Sequence, residues 1–60
     1  MFCIQNDEGY FWNSKQKEVI DRNDATVIAY EKDAAAMAKT LTKLDGGTWT
    51  YSEVDFGIDA

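Results

Sequence analysis

The chain contains no histidine and no proline, and Cys3 is its only cysteine. One thiol cannot close a disulfide within the chain, and without histidine it cannot complete a tetrahedral zinc site. The missing histidine also removes the side chain most often used as an acid or base near neutral pH. We therefore expect no disulfide framework, no metal and no cofactor, and we read Cys3 as a small buried apolar residue.

Long apolar runs are also missing. Beyond the first residues the longest run, 34–38, has five residues, whereas a membrane-spanning helix needs about 20. The opening residues have no basic segment of the kind that begins a secretory signal, and a single cysteine is typical of a reducing compartment. The sequence therefore predicts a soluble cytoplasmic protein with no membrane partner.

Positive charge is scarce and unevenly placed. Eleven acidic residues stand against six basic ones, which gives a net charge of −5. Residues 45–60 contain no base, and their acids are Asp45, Glu53, Asp55 and Asp59. Because such a segment repels phosphate backbones, direct nucleic-acid binding is not expected. The acidic charge fits either a basic protein partner or solubility alone.

The size of the chain limits its core. Sixty residues form one domain, and a domain of this size buries only about 60% of the surface of its unfolded chain. Small domains usually gain stability from disulfides, metals or a partner subunit. With the first two excluded, tight packing or self-association remains, and we expect a homo-oligomer. Residues 57–60 are predicted to be a frayed tail.

Two short strands are predicted at the start of the chain. Residues 2–5 and 10–13 are rich in apolar and aromatic residues, and residues 6–9 supply a turn in which Gly9 takes a positive φ. Residues 13–17 turn the chain again. Residues 18–20 form either a third strand or the continuation of a long, bent second strand, and residues 21–24 form a loop.

A single helix is predicted to follow the extended residues 25–28. It begins near Tyr30 or Glu31, without a preferred capping residue, and ends at Gly46 or Gly47. The helical spacing of its apolar residues predicts one buried stripe, formed by Ala34, Met37, Ala38, Leu41 and Leu44. Lys32, Lys39, Thr40 and Lys43 fall on the opposite face.

The last strand is predicted over residues 48–56. Trp49 and Tyr51 share one side of it, whereas Val54 and Phe56 share the other. This switch indicates either a bulge near Ser52 and Glu53 or a strand whose two halves serve different surfaces.

Together these elements predict an α+β fold: a small antiparallel sheet of three to four strands with one helix packed on one face, in the order ββ(β)αβ. One helix covers one face only. Because apolar residues occur on both sides of several strands, we expect the other face to meet another chain.

No combination of residues specifies a reaction. The carboxylate pairs Asp7–Glu8 and Glu53–Asp55 lack the cleft that glycosidase chemistry needs. An EF-hand loop counted from Asp21 has no glycine at position six and no glutamate at position twelve. We therefore predict that the protein is not an enzyme.

The aromatic residues are the best candidates for recognition, because Tyr and Trp often anchor protein interfaces. We predict a contact surface made of Tyr10, Trp12, Trp49 and Tyr51, with Glu53 and Asp55 supplying charge complementarity. The predicted function is that of a small acidic protein-interaction module. The alternative is a module that binds a nucleotide-type small molecule between the subunits of a homo-oligomer.

The order of these segments resembles that of small accessory proteins of tailed bacteriophages. The segments are Gly9-Tyr10-Phe11-Trp12-Asn13, Ala25-Thr26-Val27-Ile28 before an alanine-rich helix, and Trp49-Thr50-Tyr51 near the end. Some such proteins inhibit bacterial defence by binding a defence protein or by sequestering a signalling nucleotide. The resemblance implies an anti-defence inhibitor or adaptor that acts in the host cytoplasm, and it assigns no functional residue.

Overall fold

A computed structural model describes residues 1–54 of the chain. The elements in chain order are strands β1 (Phe2–Asn6), β2 (Phe11–Asn13) and β3 (Lys17–Val19), a single 3-10 turn (Arg22–Asp24), helix α1 (Glu31–Asp45) and strand β4 (Trp49–Glu53). The four strands form one antiparallel sheet in the order β3-β2-β1-β4. This confirms the predicted α+β fold.

The first turn is built by Asn6. Its side-chain Oδ1 accepts hydrogen bonds from the backbone N–H groups of Glu8 and Tyr10, each 2.9 Å long. Gly9 takes the positive φ of +92° that the turn requires. The predicted hairpin is confirmed, with its second strand beginning at Phe11.

In the second turn Asn13 makes the same kind of side-chain to backbone hydrogen bonds. Its Oδ1 accepts from the backbone N–H groups of Lys15 and Gln16, each at 2.8 Å. Lys17 then adopts a φ of +71° and starts β3, which pairs with β2. Of the two alternatives for this region, the separate third strand is confirmed.

Residues 21–28 return the chain to the sheet. Asp21 caps the 3-10 turn by accepting from the N–H of Asn23 at 2.9 Å, so the predicted loop contains one helical turn. The extended residues that follow run beside β1. Phe2 and Ile28 exchange two backbone hydrogen bonds, of 2.8 and 2.7 Å. This pairing fixes where α1 begins relative to the sheet.

Helix α1 has the predicted limits. No side chain caps it at Tyr30, and at its end Gly46 adopts a left-handed φ of +78° while its N–H donates to the carbonyl of Thr42. Most of the predicted stripe faces the sheet. Ala34, Ala38 and Leu41 are buried, and Met37 is half-buried.

Leu44 was wrongly assigned to this stripe, because 74% of its surface is exposed. Seven residues separate it from Met37, so both lie along the same margin of the stripe. Met37 packs against the core, whereas nothing in residues 1–54 covers this margin at the last turn of the helix.

The sheet carries a different apolar cluster on each side. On the side facing α1, which we call the helix side, Ile4 and Trp49 pack with Ala38 and Leu41. On the other side, which we call the second side, the cluster consists of Cys3, Ala25 and Val54, with Phe11 packed against it. The buried, free thiol of Cys3 confirms its predicted role as an apolar core residue.

Strand β4 contains no bulge. Its register with β1 runs without interruption from Phe2 opposite Glu53 to Asn6 opposite Trp49, and Val54 N–H donates to the Met1 carbonyl at 2.9 Å. Of the two alternatives, a strand that serves both surfaces is therefore correct. The predicted extension to Phe56 and the predicted tail lie outside the described residues.

Candidate interaction site

The structure distributes the six predicted contact residues over different environments. Tyr10 is 37% exposed, whereas Trp49 is only 4% exposed. Trp12 and Tyr51 pack partly buried against the helix-side core that contains Trp49. Trp12, Trp49 and Tyr51 therefore lie on the helix side of the sheet, and Tyr10 lies apart in the first turn. Glu53 is exposed on β4, and Asp55 lies outside the described residues.

The outer edge of β4 is open along the part of the chain that the structure describes. Strand β4 ends the sheet next to β1, and no other strand of residues 1–54 pairs with its far edge. Hydrogen-bonded and non-hydrogen-bonded pairs alternate along an antiparallel ladder. Because Val54 bonds to Met1, the backbone groups of Trp49, Tyr51 and Glu53 point away from β1.

Thr42 closes one end of this edge. Its hydroxyl Oγ1 accepts the outward N–H of Trp49 at 2.9 Å and donates to the carbonyl of Ala38 at 2.9 Å. The outward N–H and C=O groups of Tyr51 and Glu53 have no such partner within residues 1–54. Along residues 1–54 the free backbone groups of this edge therefore belong to these two residues.

A groove runs between α1 and this edge. Its volume is about 290 Å³, and it is lined by Ala35, Ala38, Lys39, Trp49, Thr50 and Tyr51. The two alanines keep the helix surface low beside the strand, so the groove stays open along the edge. The free backbone groups of β4 thus lie beside this mostly apolar groove.

Tyr51 is held in a fixed position above β4. Its hydroxyl donates to Glu31 Oε2 at 2.9 Å, and its ring meets that of Phe2 edge to face, with 5.9 Å between the ring centroids. The hydrogen bond to Glu31 and the negative charge of Glu31 raise the pKa of Tyr51, and burial adds to this effect. Tyr51 therefore ties the strand to the first turn of α1.

This contact predicts a change in the titration of Tyr51. In a Glu31→Gln variant we expect the pKa of Tyr51 to fall towards 10.0, the ordinary value for tyrosine, because the carboxylate charge is lost. The measurement is the ultraviolet absorbance of tyrosinate between about pH 9 and 12. A Tyr51→Phe variant identifies which part of the titration belongs to this residue.

The same shift affects stability at high pH. Because the pKa of Tyr51 is raised in the folded state, the unfolded chain loses this proton first as the pH rises through about 10. The Tyr51 contribution is therefore fully present below that pH and is lost above it. Tyr51→Phe should show a shallower loss of stability there than the parent chain. In the absorbance experiment, identical tyrosinate titration curves for the parent chain and Glu31→Gln would contradict the hydrogen bond between Tyr51 and Glu31.

One lysine, Lys39, lines the groove. Lys32, Lys39 and Lys43 follow at intervals of seven and four positions, so they lie on one face of α1, turned away from the buried stripe. All three are exposed. Lys39 therefore places one positive charge at the margin of the groove beside the open edge.

A different flank of α1 is apolar. Tyr30, Met37 and Leu44 follow at intervals of seven residues, and Tyr30 and Leu44 are 70% and 74% exposed. Within residues 1–54, these apolar residues do not combine a free strand edge with a lysine, whereas the β4 edge has free backbone groups beside Lys39.

A second concavity of about 290 Å³ lies at the end of the first hairpin, where Asp7, Glu8, Glu18 and Asp45 come together. Lys17 Nζ lies 3.2 Å from Asp45 Oδ1. Among residues 1–54, no group of three or more side chains is arranged to hold a metal ion.

Sequence reasoning missed two residues that shape the site, Lys39 and Thr42. The spacing of the lysines marks the helix face turned away from the sheet, so it did not indicate that Lys39 lines the groove. Thr42 gave no signal, since its partner Trp49 follows only after the turn at Gly46 and Gly47.

No protein-family model, no curated protein and no solved structure matches this chain. Within residues 1–54, no helix combines the length and the apolar character that crossing a bilayer requires.

Proposed function

We propose that this chain is a small protein-interaction module that binds an extended partner segment along the outer edge of β4. The observation that carries this proposal is the pair of outward-facing backbone groups at Tyr51 and Glu53 beside the groove. In strand addition, main-chain hydrogen bonds supply affinity, and adjacent pockets select alternate side chains of the partner. Both components are available at this edge.

The chemistry of the edge favours a polypeptide over a nucleotide-type ligand. Donors and acceptors alternate here at the spacing of a β-strand, which another backbone matches group for group. The groove beside them is lined largely by alanine and aromatic carbon atoms, and Lys39 lies at its margin. An extended polypeptide segment that carries apolar side chains and an acidic one matches the backbone groups of the edge, the apolar groove and the charge of Lys39.

The resemblance to small phage proteins extends this proposal to the biological role. On that basis the module acts as an inhibitor or adaptor in the cytoplasm of a bacterial host, and it binds a host protein. The resemblance alone supports this part of the proposal.

The test is a pull-down with three baits, the parent chain and two variants at position 53. Glu53→Pro removes an outward N–H and places a ring where a partner strand would approach, while the bonds of β4 to β1 stay intact. Glu53→Ala removes the same side chain and keeps the N–H. We expect a host protein to be retained by the parent and Glu53→Ala baits and to be lost from Glu53→Pro.

Circular dichroism establishes that both variants fold before the comparison is made. A partner retained equally by the parent and Glu53→Pro baits would show that the contact lies elsewhere and would overturn the assignment of this edge.

A further inference from the structure

We infer that a second copy of this chain occupies the edge, with the two β4 strands pairing antiparallel about a two-fold axis at Ser52. This inference rests on the proposed use of the β4 edge, and it names a partner that competes with a host segment for that edge. In a two-fold interface the same surface serves both copies, so every contact occurs twice.

The backbone groups fit this register. Pairing about Ser52 sets Tyr51 of each copy opposite Glu53 of the other, and each such pair exchanges two hydrogen bonds. Those are the residues whose outward groups have no partner within residues 1–54. Thr42 already holds the N–H of Trp49, so a longer partner strand would find no free donor there.

In the same register each Glu53 comes to the groove of the other copy, where Lys39 attracts it and Glu31, bonded to the Tyr51 hydroxyl, repels it. Tyr51 and Glu53 lie opposite Ile4 and Phe2, so their side chains are on the helix side of the sheet. Glu53 of the second copy therefore lies beside Tyr51, at the groove that Lys39 lines. The two-fold axis generates a second Glu53–Lys39 pair.

The distribution of charge favours this occupant over an unrelated segment. Residues 45–54 carry Asp45 and Glu53 and no base, whereas Lys39 of α1 lines the groove. Antiparallel pairing of β4 with itself sets the strand of each copy against the helix flank of the other. The net charge of −5 on each copy opposes association, but at about 0.15 M salt it is screened beyond about 8 Å.

The interface is tested by exchanging the two charges. In a homodimer of Lys39→Glu, both pairs become carboxylate against carboxylate, and in one of Glu53→Lys both become ammonium against ammonium. We expect each variant alone to dimerise about tenfold more weakly than the parent chain. An equimolar mixture restores two attractive pairs in every heterodimer, so it should associate within about threefold of the parent.

Sedimentation equilibrium from about 10 µM to 1 mM measures these affinities, because dimerisation doubles the mass of 6.8 kDa. The expected order is parent and mixture strongest, single variants weaker, and Glu53→Pro monomeric. Lys15→Glu, which makes the same charge change at an exposed turn between β2 and β3, should dimerise like the parent chain.

A parent chain that stays monomeric to 1 mM would overturn the inference, and so would a mixture no stronger than the single variants. Either result leaves the proposed function standing if a host protein is still lost from the Glu53→Pro bait. Conversely, restored association in the mixture supports the second copy even when no host protein depends on this edge.

Discussion

Replacing Trp49 with alanine is expected to lower the free energy of unfolding by roughly 3–5 kcal/mol, the usual cost of truncating a buried aromatic residue. The indole is 4% exposed and packs with Ile4, Ala38 and Leu41. A domain of this size has a total stability of about 3–9 kcal/mol, at roughly 0.05–0.15 kcal/mol per residue. The variant should therefore have lost a large part of its stability at 25 °C.

Urea denaturation monitored by far-ultraviolet circular dichroism measures this loss, and the fluorescence of Trp12 provides a second probe. Tyr10→Ala is the matched control, because Tyr10 belongs to the same predicted contact set but is 37% exposed. It should cost less than about 1 kcal/mol. If the two variants had equal urea midpoints, Trp49 would not have the core role that its burial indicates.

Replacing Thr42 with valine is expected to cost about 1–3 kcal/mol, because the partly buried N–H of Trp49 loses its acceptor. The two side chains have similar shapes, so the change removes the hydroxyl with little change in volume. The hydroxyl joins the helix to the start of β4 through its bonds to the Ala38 carbonyl and the Trp49 N–H. Thermal and urea denaturation give the loss of stability, and amide exchange at Trp49 should accelerate.

Thr40→Val provides the control within the same helix. The Thr40 hydroxyl makes the same kind of helical bond, 3.0 Å to the Ala36 carbonyl, and the residue is exposed. The substitution there should change stability by less than about 0.5 kcal/mol. Equal losses for the two variants would mean that the contact with Trp49 contributes nothing measurable.

The elements of this fold were predictable because their signals are local. Asn6 and Gly9 mark the first turn, and the glycine pair after Asp45 ends the helix. The spacing of Ala34, Ala38 and Leu41 marks the side that faces the sheet. Leu44 fits the same spacing but lies at the margin of the stripe, where exposure depends on what the sheet provides beneath it.

The position of the contact surface was not predictable in the same way. Alternation shows that Trp49 and Tyr51 share a side of their strand, but it does not show which side the helix covers. That depends on the pairing of β4 with β1, which joins residues distant in sequence. The same pairing makes β4 an edge strand, so the open edge beside Lys39 appears only once the order of the strands is known.

The central position of β1 also has a consequence for the order of folding. Its pairing of Phe2 with Glu53 joins residues 51 positions apart (53 − 2), and closing so long a loop carries a large entropic cost before the contact is gained. Pairings between distant residues slow folding. During synthesis β1 leaves the ribosome well before β4, so it lacks one of its neighbours until residue 53 has emerged. The sheet is therefore expected to be completed late, when β4 pairs with β1.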